Sequence, residues 1–115
     1  MPQLAQLAQL VQRLRNFEPG AGAPEWRKVV YPPDAGDQSP AAQVQRELLD
    51  QAAYYVRIAS ALLSGAAHQP PPVRNFDSEV RARLEGTLGH SVEYQEWASY
   101  AMTVEALAEA VHSAA

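Results

Sequence analysis

Cysteine is absent from the 115 residues, which excludes disulfides, thiolate zinc sites, iron–sulfur ligation and a cysteine nucleophile. A reducing compartment is compatible with that lack. Lysine is almost missing: the nine basic residues are eight Arg and Lys28, set against 13 acidic residues, for a formal charge of −4. No long-range positive field therefore steers the chain toward phosphate backbones or anionic lipid. No stretch approaches the ~18 uninterrupted apolar residues of a membrane helix. Met1–Leu10 has no basic residue ahead of its leucines, so neither a membrane contact nor a secretory signal is expected, and a cytoplasmic location is. There is no glycine-rich phosphate loop, no nucleophile beside a base, and no carboxylate pair with a reason to be buried. The sequence thus points to no catalytic residue, cofactor or metal.

What is present is 47% hydrophobic residues, in a length that suits one domain burying roughly two-thirds of its unfolded surface. Leu4, Leu7, Val11 and Leu14 recur at the three-four spacing of a helical stripe, predicting an N-terminal helix over about 3–16 within a segment 1–17. Some four turns are marginal alone in water, so this stripe needs a surface on its own chain, on a second copy or on another protein. Residues 18–38 hold Pro19, Gly20, Gly22, Pro24, Pro32, Pro33 and Gly36, which excludes regular helix and predicts an extended linker or strap. Trp26–Tyr31, aromatic and β-branched, suits an extended run across an apolar surface.

The remainder, 39–115, reads as a helical body. Ser39-Pro40 is a strong helix start. Val44, Leu48, Ala52, Tyr55, Val56, Ala59, Leu62 and Leu63 then hold one face to Gly65, predicting a helix over about 40–65. Pro70-Pro71-Pro72 is a stiff spacer. Asp77 or Ser78 caps a short helix over about 78–88, with Val80, Leu84 and Leu88 inward and Gly89 beyond its end. Ser91 opens a second long helix over about 91–112, with Tyr94, Trp97, Ala101, Val104, Ala108 and Val111 inward; Tyr100 on this helix and Tyr54 on the first long helix lie toward the edges. The class is all-α, a small bundle built on two long helices.

Several constellations invite chemistry. Glu109 and His112 are three apart, as in one half of a carboxylate-bridged di-iron bundle, but the other long helix offers only Glu47 and Asp50 and no histidine. Arg83 and His90 superficially resemble the Arg-x(4 to 6)-His pattern of the HEPN ribonucleases. Gly86, Gly89 and Ser91 imply a helix break between the two, and the resemblance is not adopted. The corner Thr87–Val92 has the form of a helix-turn-helix, yet its second helix would present Glu93 and Glu96 to DNA. Tyr54, Tyr55, Tyr94, Trp97 and Tyr100 could line a small-molecule pocket between the long helices, though such stripes more often form core or interface.

The leading expectation is a small interaction or assembly subunit, self-associating as a homodimer or engaging another protein. Leu4, Leu7, Val11, Leu14, Trp26 and Tyr31 are the candidate interface. Two other functions stay open. One is a nucleic-acid-associated regulator or nuclease acting through the corner at 78–100, with Arg74, Arg81 and Arg83 as phosphate contacts. The other is a small-molecule binder between the long helices.

Overall fold

A computed structural model describes residues 2–18, 29–65 and 74–114. Four helices follow in chain order: α1 (Pro2–Arg15), α2 (Pro40–Leu63), α3 (Glu79–Leu88) and α4 (Val92–Ala114). There is no strand among the described residues, and the fold is an all-α bundle with two long helices.

Local chemistry sets the helix ends. At the start of α2 the Ala42 amide donates to Ser39 Oγ at 3.2 Å while Pro40 occupies the first turn, so the cap satisfies an otherwise unpaired donor. Asp77 caps α3 instead of Ser78, which makes no side-chain cap bond: Asp77 Oδ1 accepts from the Glu79 amide at 3.0 Å. Ser91 Oγ accepts from the Tyr94 amide at 3.1 Å to open α4. Gly65 and Gly89 both take φ +65°, a positive φ that is cheap only without a Cβ.

α4 packs against each of the other three helices and is the centre of the bundle. Its buried sector is correspondingly broad. Trp97, Ala101, Val104, Ala108 and Val111 are buried as expected, and so are Tyr100, Thr103, Leu107 and Ala110. Tyr94 is only half-buried. Tyr100, expected near an edge, is 8% exposed and meets Phe17 edge-on at 5.5 Å and Trp97 at 5.9 Å. α2 likewise touches three helices. It buries Val44, Leu48, Ala52, Tyr55 and Ala59, and adds Ile58. Val56 and Leu62 are half-buried and Leu63 is exposed, because a wall shared among three neighbours is not centred on one stripe.

α1 lies on α4 and α2 of its own chain. Leu7, Leu10, Val11 and Leu14 are buried and belong to the same core cluster as α2, α3 and α4. The linker reaches this core as well. Val29 and Val30 are buried, and the Val30 amide donates to the Phe17 carbonyl at 3.0 Å. Arg46 Nη2 then donates to the Asp34 carbonyl at 2.7 Å, tying the strap to α2. Trp26 and the proline run 70–72 lie outside the described residues.

Candidate functional site

The six residues expected to form an interface separate in the fold. Leu7, Val11 and Leu14 are buried within the chain and Leu4 is half-buried against the same core, so their apolar area is already covered in cis. Tyr31 stands 67% exposed on the strap. Trp26 lies outside the described residues. The large hydrophobic side chains still exposed, among the described residues, are Tyr31, Leu63, Val92 and Met102.

Met102 is 55% exposed on the outer side of α4. Positions three and four apart on a helix share a face, which aligns Ser99, Met102 and Ala106 as one stripe. It borders an open groove of about 420 Å3 between α1 and α4, where Arg13 and Phe17 form the opposite wall. Ser99 and Ala106 are half-buried, so Met102 rises between two smaller neighbours. The sequence held a signal for this surface: Met102 falls off the inward stripe of its helix.

The three arginines considered as phosphate contacts do not form a free basic patch. Arg81 pairs with Glu105 at 3.3 Å and Arg83 pairs with Glu47 of α2. The Arg83 guanidinium is held above its usual pKa, first by that hydrogen bond. Arg74 lies with its guanidinium carbon 4.8 Å from the centre of the Tyr54 ring. The pair Arg83 and His90 is also divided: α3 ends at Leu88, and His90 sits beyond it in an exposed turn, its Nε2 3.8 Å from Glu85.

Two further clefts flank the extended segment 74–77. Toward α2, a notch of about 240 Å3 is walled by Asp50, Gln51, Tyr54 and Asp77. Gln51 Oε1 is buried there without a hydrogen-bond partner. Toward α4, a cleft of about 460 Å3 brings Glu105, Glu109 and His112 opposite Asn75 and Phe76. Glu109 and His112 thus share one cleft, but no group of three or more His, Cys, Asp or Glu among the described residues is arranged to hold a metal ion. His68 lies outside the described residues. Asn75 and Phe76 carried no signal in the sequence. They acquire a position only because the Tyr55 hydroxyl donates to the Arg74 carbonyl at 2.8 Å and pins the chain there.

Burial also perturbs the tyrosines. Tyr100 is pushed up to about 12, first by loss of water around its hydroxyl and then by the charge of Glu18. Tyr55 is raised by burial, with Tyr54 adding to the shift. Both stay protonated at neutral pH; the Tyr55 hydroxyl donates a hydrogen bond and the Tyr100 ring packs against Phe17 and Trp97.

Scanned against protein-family models, curated proteins and solved structures, the chain has no significant match. Among the described residues, no helix is long and apolar enough to cross a membrane.

Proposed function

We propose that this chain is a small helical assembly subunit that associates with a second copy of itself through the outer face of α4. The observation that carries the reading is Met102, a large apolar side chain 55% exposed at the edge of a groove. Phe17 and Ala106 line the same groove as Met102, so the apolar surface there is a contiguous strip, the kind that marks an interaction site. A second copy suits it because the stripe is self-complementary. When two α4 helices approach antiparallel and cross at Met102, each Met102 meets the Ser99 and Ala106 turns of the other. A two-fold interface requires that property.

The arm expected to drive association enters the argument differently. α1 is spent on the core of its own chain, so the partner surface moves to the groove that α1 and α4 form together. The nucleic-acid reading gains less support, since Arg81 and Arg83 are each engaged by a glutamate and a net charge of −4 supplies no long-range attraction to phosphate.

Light scattering on a sizing column tests the proposal. Wild type is expected at twice the chain mass and Met102→Glu at the chain mass, with unchanged helicity. A wild type that stays monomeric at high concentration, or a Met102→Glu variant that stays dimeric, overturns it.

A further inference from the structure

Sulfur is scarce in this chain. There is no cysteine, and the methionines are Met1 and Met102. Met1 lies outside the described residues. Met102 is 55% exposed and lines the groove of about 420 Å3 between α1 and α4, so a small oxidant reaches its sulfur from solvent. A thioether needs no deprotonation before it reacts, and no thiol of the same chain competes for the oxidant.

The surroundings of that sulfur give its oxidation a consequence. Along the groove Met102 neighbours the half-buried side chains of Phe17 and Ala106, and the buried Thr103 hydroxyl beside it already donates to the Ser99 carbonyl at 3.0 Å. In the two-fold arrangement, each Met102 leaves water for the α4 helix of the second copy. A thioether makes that transfer favourably. A sulfoxide is polar, binds water through its oxygen, and disrupts methionine-built interfaces. The symmetry doubles the penalty, because both copies bring position 102 to the crossing.

We propose that Met102 is an oxidation site at which a hydroperoxide switches self-association off, an inference that rests on the α4 dimer proposed above. The peroxide O–O bond breaks and one of its oxygens bonds to the Met102 sulfur, which is oxidised by two electrons. The peroxide is reduced to water, or to an alcohol when it is organic. Association covers the sulfur, so the reaction proceeds on the free chain, and oxidised chains are held back from assembly. The change is reversible, since methionine sulfoxide reductases return the thioether, one enzyme for each epimer.

Partial oxidation of the full chain with hydrogen peroxide tests this, followed by separation of dimer and monomer on a sizing column and mass spectrometry of the peptides in each fraction. Sulfoxide at Met102 should be enriched in the monomer, whereas sulfoxide at Met1 should be shared evenly between the two. Full oxidation should raise the dissociation constant at least about ten-fold, and treatment with both reductases should restore the dimer. Met102 should also oxidise more slowly as protein concentration rises, because the dimer withholds it. Equal Met102 sulfoxide in the two fractions, a dimer that persists after full oxidation, or an oxidation rate independent of protein concentration would overturn the switch and leave the dimer standing. A monomeric chain before any peroxide is added removes the dimer itself and the switch with it.

Discussion

Leu7→Ala is the perturbation that tests most sharply where α1 belongs. Leu7 is 0% exposed and sits in the central cluster with residues of α2 and α4. Truncating a leucine in such a site removes its transfer free energy and leaves a cavity, together about 2–5 kcal/mol. For a chain of this length the unfolding entropy converts each kcal/mol into roughly 4 °C, so the midpoint should fall by about 8–20 °C. Far-ultraviolet circular dichroism and tryptophan fluorescence, melted in parallel in a Trp26→Phe background, are the assay, because Trp97 is then the sole tryptophan and reports the α4 core while dichroism reports all four helices. Both signals should shift together, since α1 and α4 share one cluster and should unfold as one unit. Tyr31→Ser, at a 67% exposed position, is the control and should move the midpoint by no more than about 0.5 kcal/mol. If Leu7→Ala leaves the Trp97 transition where it was, α1 is not part of the core and the cis packing is wrong.

Ser39→Ala removes the side-chain acceptor of the Ala42 amide and should cost about 1 kcal/mol, measured as a lower urea midpoint at unchanged slope. Stability should also fall in alkali. Tyr100 has a folded-state pKa of about 12 against an unfolded value near 10, so its contribution is complete below about pH 10 and is lost as pH rises through 12. The loss is on the order of 2–3 kcal/mol, and Tyr100→Phe should flatten that part of the curve; an unchanged slope in the variant would refute the assignment. Met102→Glu should leave the melting of the monomer within about 0.5 kcal/mol of wild type, because it replaces a half-exposed side chain, while removing the dimer on a sizing column.

The helices were legible because their boundaries are written in short-range chemistry. Ser39-Pro40, Asp77, Ser91, Gly65 and Gly89 each solve a local problem of an unpaired amide or a positive φ, and a local problem can be read locally. Burial was legible only in part. Tyr100 and Ile58 lie off the main stripes, yet both are covered because α4 and α2 each touch three neighbours, and the number of neighbours is a property of the whole fold. Arg81 and Arg83 part company for a related reason. Two residues apart on a helix, they point to different sides, one toward Glu105 of α4 and the other toward Glu47 of α2. The α1 stripe announced that it needed a surface but held nothing to say whose. The cleft at 74–76 was invisible, because Asn75 and Phe76 gain their place from the Tyr55 hydroxyl 19 residues earlier.

The central claim, that one face of α4 builds the core and the other meets a second copy, has a direct test in the lack of cysteine. Met102→Cys gives a chain with one thiol, placed where the proposed two-fold brings position 102 against its counterpart, near enough for a disulfide. Gln6→Cys, on the exposed side of α1, is the control. Under mild oxidation at low protein concentration, Met102→Cys should convert to a covalent dimer much faster than Gln6→Cys. Equal slow conversion of the two would contradict the claim and leave the outer face of α4 without a second copy.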